Sequence, residues 1–165
     1  MMAGSVIAVI AYIGLGANLG DARDAVQRAM LALSDLPATR LLAQSSLFRS
    51  APLDAAGDDY VNAVVQLETT LSATALLLQL QRIEAAFGRL RPYPNAPRTL
   101  DLDLLLYGAQ TIDNATLTVP HPRMTQRAFT LIPLLQLDPL IAIPGLGPAH
   151  RFVPGVSAQQ IQKIQ

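Results

Sequence analysis

Hydrophobic and polar residues alternate along this chain in two periods, and the switches between them mark the elements. Residues 6–15 are apolar and rich in β-branched side chains, the pattern of a central strand. Gly14, Gly16 and Gly20 surround Asn18, which predicts a turn. Asp21 can cap a helix running to about Leu36: Val26, Ala29, Met30 and Leu33 form an apolar stripe, and Pro37 stops it. Residues 41–50 read as one strand and 51–59 as a loop. Over residues 60–70 the period is two. Tyr60, Asn62, Val64, Gln66 and Glu68 share one face, and Val61, Ala63, Val65 and Leu67 the other. Ser72 can cap a second helix, with Leu76, Leu80, Ile83 and Phe87 along one side and Gly88 closing it. Pro92, Pro94 and Pro97 mark a loop, after which PRTLDLDLLLYG (97–108) returns to the strand pattern. A short hairpin is expected over 109–119, one or two helices between 122 and 136, and then a Pro/Gly-rich tail.

The order β-α-β-β-α-β is that of the split βαβ unit. The expected fold class is therefore α+β: a ferredoxin-like core with a mainly antiparallel sheet, plus a C-terminal hairpin and short helices. One domain is expected over residues 1–165, with its core at about 6–139 and a tail from 140. At 165 residues, 51% hydrophobic and 15% charged, the chain carries a full core and is not a disordered segment. Formal net charge is zero, which weighs against nucleic acid as a partner. The lack of cysteine removes disulfides, thiolate metal sites and a Cys nucleophile. The run SVIAVIAYIGLG resembles a signal-peptide core but lacks a basic flank and is too short to span a bilayer. It is read as a buried strand, the protein as cytoplasmic, and no membrane partner is expected.

Chemistry concentrates in residues 89–127. Asp101 and Asp103 lie two apart in a strand, so they project from one face, with Leu100, Leu102, Leu104 and Leu106 on the other. Like charges so placed repel, and a hard cation such as Mg²⁺ resolves the conflict, taking one or two carboxylates plus substrate phosphates. An acidic solvent-facing strand is the alternative. Arg89, Arg91, Arg98, Arg123 and Arg127 flank the acids, and of twelve cationic residues only Lys163 is lysine. Arginine forks match phosphate oxygens, so acids and arginines together have the layout of a nucleoside-triphosphate site. Surface pairing, Arg98 with Asp101 for example, is the competing explanation. GLGANLG (14–20) has the wrong spacing for a dinucleotide loop, and no acid follows where that motif requires one.

Six segments in order, YIGLGANLGD (12–21), SSLFRSAPL (45–53), DYVNAVVQLET (59–69), QRIEAAFGR (81–89), APRTLDLDLLLYG (96–108) and LTVPHPRMTQRAF (117–129), resemble the 6-hydroxymethyl-7,8-dihydropterin pyrophosphokinases of folate biosynthesis. The resemblance implies transfer of the β,γ-pyrophosphoryl group of ATP to the pterin hydroxymethyl oxygen, releasing AMP. It implies Asp101 and Asp103 as ligands for two Mg²⁺ ions, with ATP as co-substrate and Arg89 and Arg98 in catalytic contact with phosphate. Gln81, Glu84, Thr118, His121 and Arg127 would serve ATP, with Arg98. Ser50, Leu53, Tyr60, Asn62, Phe129 and Asn18 would form the pterin pocket, Phe129 and Tyr60 stacking on the ring and Asn62 bonding its edge. Loops 51–59 and 89–98 would close over the substrates and exclude water. The chain departs from the family pattern at Pro94, Asn95 and Ala96, where many members carry another basic residue and a tryptophan. Arg91 is the candidate to supply that cation to ATP. Pro122 stands where some members have tyrosine. No general base is assigned, and a monomer is expected. A non-catalytic nucleotide-binding module and a kinase releasing ADP are the rival functions.

Overall fold

The computed structural model describes residues 7–53, 57–88 and 100–164. Among them, six strands form one sheet in which every pairing is antiparallel. The elements run β1 (Val9–Ala17), α1 (Ala22–Ser34), β2 (Thr39–Gln44), β3 (Phe48–Ser50), β4 (Tyr60–Thr69), α2 (Ala73–Gly88) and β5 (Asp101–Tyr107). The hairpin β6 (Ile112–Asp113) and β7 (Thr118–Val119) follows, then a 3₁₀ turn (Met124–Gln126) and α3 (Ala128–Leu137). The chain ends in the hairpin β8 (Ala142–Ile143) and β9 (Gly147–Pro148), a 3₁₀ segment (Ala149–Val156) and β10 (Ile161–Lys163). The sheet order β10-β3-β4-β1-β5, with β2 also on β4, has ferredoxin-like connectivity, β2 and β3 together acting as its second strand.

The caps work as the sequence predicts. Asp21 accepts from the Asp24 amide at 3.0 Å, and the Ser72 hydroxyl accepts from Ala75 at 3.1 Å. Helices α1 and α2 cover one sheet face. Their stripes (Val26, Met30 and Leu33; Leu76 and Leu80) meet Ile13, Val65 and Leu67 in the larger core. Helix α3 and the C-terminal segment cover part of the other face over Tyr12, Val64, Leu105 and Leu106.

Four expectations are corrected. Strand β1 runs through Gly14 and Gly16 to Ala17 rather than turning there, because flanking strands pair with both glycines. The predicted strand 41–50 is two strands. At the break the Ser45 hydroxyl replaces a ladder acceptor, taking the Val64 N–H at 2.9 Å while Ser45 N donates to Val64 O at 2.8 Å. Leu106 does not share a face with Leu102 and Leu104: the register slips at Leu105, a bulge that turns Leu106 into the α3-side core. The tail is not featureless. It folds against α3 and adds β10 to the edge strand β3.

Candidate active site

Strand pairing assembles the site. Gly16 faces Asn62 on β4 and Asp101 on β5, and Gly14 faces Val64 and Asp103. Directly opposed residues share a face, so the two acids, Asn62 and Tyr60 all rise on the α3 side of the sheet. Adjacent strands lie about 4.8 Å apart, so the amide and the acids stand roughly 10 Å from each other. Between them the floor is bare backbone. A Cβ on Gly16 would sit 3.1 Å from Asn62 Nδ2 and 3.9 Å from Tyr60 Cδ1. Glycine inside a strand marks such a close approach.

The result is a cleft of about 260 Å³, walled by Tyr60, Asn62, Asp101, Asp103, Arg127 and Phe129 and lined as well by Ala51, Pro52 and Leu53. Its two ends differ in chemistry. At one, Tyr60 supplies aromatic surface and Asn62 an amide that is 97% buried by its neighbours, while Phe129 stands on the wall beside Arg127. Ser50 lies behind Asn62 rather than on the wall, donating its hydroxyl to Asn62 Oδ1 at 2.5 Å. With its oxygen so engaged, Asn62 presents the Nδ2 side toward Gly16 and the cleft.

At the other end Asp101 and Asp103 sit half-exposed. The Arg127 guanidinium lies 4.0 Å from Asp103 Oδ2 and 5.4 Å from the Phe129 ring centroid. It is 23% exposed, shielded enough to hold its charge in a fixed place yet open to a ligand. His121 is tied to β5 through its main chain, His121 N donating to Leu105 O at 2.9 Å. Its Nδ1 accepts the Arg123 N–H at 3.2 Å, so the neutral ring carries its proton on Nε2. Burial pushes the His121 pKa below the ordinary imidazole value; Asp103 pulls it up, and Arg127 and Arg123 push it down further.

Some expected residues hold different posts. Glu84 on α2 accepts the Leu102 N–H at 2.8 Å and so satisfies an outward-facing donor of edge strand β5. Gln81, one turn earlier, and Thr118 on β7 are exposed and away from the cleft wall. Asn18 follows β1 and also lies off the wall, while Leu53, 47% exposed, is at its rim. Arg89, Arg91 and Arg98 lie outside the described residues. Gly14, Gly16 and Thr130 line the cleft without having been expected there, while Ala51 and Pro52 line it from the loop expected to flank the substrates. The glycines carried a usable signal, since their spacing of two puts both on one strand face.

A ferredoxin-like sheet with an acidic and a stacking end in one cleft defines a class of enzyme-like α+β domains. Residues 12–139 match the family model for 7,8-dihydro-6-hydroxymethylpterin-pyrophosphokinase, and the chain belongs to that family. It is 44% identical over 137 residues to the 2-amino-4-hydroxy-6-hydroxymethyldihydropteridine pyrophosphokinase of Haemophilus influenzae, covering 82% of this chain and 86% of that one. The Pseudomonas aeruginosa protein of the same name is 46% identical over 134 residues, 81% of this chain and 83% of the other. Among solved structures, the wild-type Plasmodium falciparum HPPK-DHPS with pteroate has a similar fold, with a TM-score of 0.72 at 13% identity over 93% of this chain. This chain spans 43% of that longer one.

Proposed function

We propose that the chain transfers the β,γ-pyrophosphoryl group of ATP to the hydroxymethyl oxygen of 6-hydroxymethyl-7,8-dihydropterin. The observation that carries this reading is the single cleft with an amide-and-aromatic end and a carboxylate-and-guanidinium end, on a chain of this family. The pterin lies between Tyr60 and Phe129, its polar edge on Asn62. Its hydroxymethyl group then points along the glycine floor toward Asp101 and Asp103. The oxygen attacks the β-phosphorus, the bond from that phosphorus to the α,β-bridging oxygen breaks, and AMP leaves with the bridging oxygen. The hydroxyl proton passes to solvent or to a phosphate oxygen, which suffices for a loose transition state.

The donor set fits a divalent ion. Two hard carboxylates share one sheet face, and among the described residues no third acid or histidine joins them, leaving other coordination positions to phosphate and water. Asp101 and Asp103 would hold Mg²⁺ there. Bound with the triphosphate, Mg²⁺ would neutralise charge building on the bridging and leaving oxygens. Arg127 compensates the remaining charge, and its stacking on Phe129 couples the nucleotide end to the pterin end. His121 donates from Nε2 toward the phosphates. Arg89, Arg91 and Arg98 are assigned to the same chain of phosphates by family resemblance. A monomer acting in the cytoplasm is the simplest setting for two small-molecule substrates, and no described helix is long and apolar enough to cross a membrane.

Incubating the purified chain with ATP, MgCl₂ and hydroxymethyldihydropterin should yield AMP and the pterin diphosphate in equal amounts. ADP as product would indicate an ordinary kinase, and no nucleotide turnover would indicate a binding module; either outcome overturns the proposal.

A further inference from the structure

Arg127 is held from behind by the C-terminal segment. It is the N-cap residue of α3, with φ −128° and ψ 115°, and its side chain makes no capping hydrogen bond, being turned to the cleft instead. The helix end is served by Gln159. Its Oε1 accepts the Ala128 N–H at 2.8 Å, and its Nε2 donates to Gln126 O at 2.8 Å. Those two groups bracket Arg127. The Gln126 carbonyl belongs to the peptide plane before the Arg127 Cα and the Ala128 amide to the plane after it. The soft torsions between the planes are φ and ψ of Arg127 alone. One planar amide gripping both planes, together with the Thr130 and Leu131 amides on the Arg127 carbonyl, therefore restrains those torsions and with them the direction of the Cα–Cβ bond from which the guanidinium reaches the cleft.

Gln159 is itself anchored. Its N–H donates to Val156 O at 3.0 Å, and two residues on, β10 pairs with β3 so that Ile161 faces Ser50, the residue that orients Asn62. The segment thus reaches behind both ends of the cleft, although it lies past residue 139, where the family match stops.

We propose that Gln159 is a positioning residue for pyrophosphoryl transfer, holding Arg127 beside Asp103 and over Phe129. The inference rests on the function proposed above. Its test is a double-mutant cycle in the full-length chain, reading kcat and the KM for ATP by AMP formation, with thermal melting alongside. Gln159→Ala should lower kcat/KM for ATP about 10-fold, the scale of a displaced phosphate contact. In an Arg127→Ala background the same change should cost less than about twofold, because the group it positions is gone. Gln159→Met, similar in length but without either hydrogen bond, should match the alanine variant. Equal proportional losses in both backgrounds would make Gln159 a general support and overturn the proposal. So would an unchanged rate in Gln159→Ala, or a wild-type rate in Gln159→Met. A wild-type chain that makes no pterin-dependent AMP would sink the proposed function and this inference together, whereas an active wild type with an additive cycle would sink only the inference.

Discussion

The two faces of the central sheet are built from the same strands and do different work. On the face under α1 and α2, β4 contributes Val61, Ala63, Val65 and Leu67, all buried beneath amphipathic helices. On the other, the alternate residues of β4 are Tyr60, Asn62, Val64 and Gln66. Only part of that second face is roofed, by α3 and the C-terminal segment over Val64, Leu105 and Leu106. The cleft opens on the part around Tyr60, Asn62, Asp101 and Asp103. The contrast shows how a period-two element separates stability from chemistry, with every second residue packing and its neighbours free to meet a ligand. It also explains the glycines of β1. On the packed side Ile13 and Leu15 fill the core, while on the cleft side Gly14 and Gly16 leave the floor open.

That division predicts opposite phenotypes for residues on the two faces. The largest effect should come from Asp101→Ala or Asp103→Ala. Each should slow AMP formation by on the order of 10³-fold, about 4 kcal/mol of barrier, while circular dichroism and urea unfolding stay near wild type. Leu67→Ala, from the fully buried face, should do the reverse. Urea unfolding should show a loss of about 2–5 kcal/mol, and the folded fraction should keep its turnover. An acid variant that unfolds, or a Leu67 variant that is folded but inactive, would break the comparison.

Smaller effects sharpen it. Ser50→Ala leaves the buried Asn62 Oδ1 without its donor, at about 1–3 kcal/mol, and should raise the KM for the pterin more than that for ATP. Gly16→Ala brings a methyl 3.1 Å from Asn62 Nδ2 and should weaken pterin binding by roughly 10-fold, about 1.4 kcal/mol, in a calorimetric titration. Stability should hardly change, since alanine costs less strand entropy than glycine. The smallest effect concerns His121. Its pKa in the folded protein is lowered, first by burial, so the unfolded chain binds a proton at a pH where the folded one does not. Stability from this group is then constant above the ordinary imidazole range and declines as pH falls through that range toward the folded value. His121→Gln should flatten that part of the curve of unfolding free energy against pH.

The features legible in the chain were local ones. Asp21 and Ser72 cap as expected, the stripes of α1 and α2 point inward, and the 101–103 spacing puts both acids on one face. Asp101, Asp103, Tyr60, Asn62, Arg127 and Phe129, all singled out in the sequence, are brought to one cleft by the fold. Non-local features were not. A glycine pair reads as a turn until strands on both sides claim it. Ser45 reads as strand until its hydroxyl takes the place of a carbonyl. Glu84, expected beside ATP, also accepts from the Leu102 amide of the neighbouring strand, a partner that only the fold brings to it. Gln159 sits in a segment with no periodicity, and only the path of the chain back to α3 gives its amide two partners.

By itself, then, the sequence determined the β-α-β-β-α-β order of the core, the helix caps, the inward stripes and the placement of Asp101 and Asp103 on one strand face. These follow from periodicity and side-chain chemistry within a few residues. Tertiary structure alone decided the register that sets Gly14 and Gly16 between Asn62 and the acids, the bulge at Leu105 and the grip of Gln159 on Arg127. Those depend on groups 30 or more residues apart satisfying each other's hydrogen bonds and packing, which no local pattern encodes.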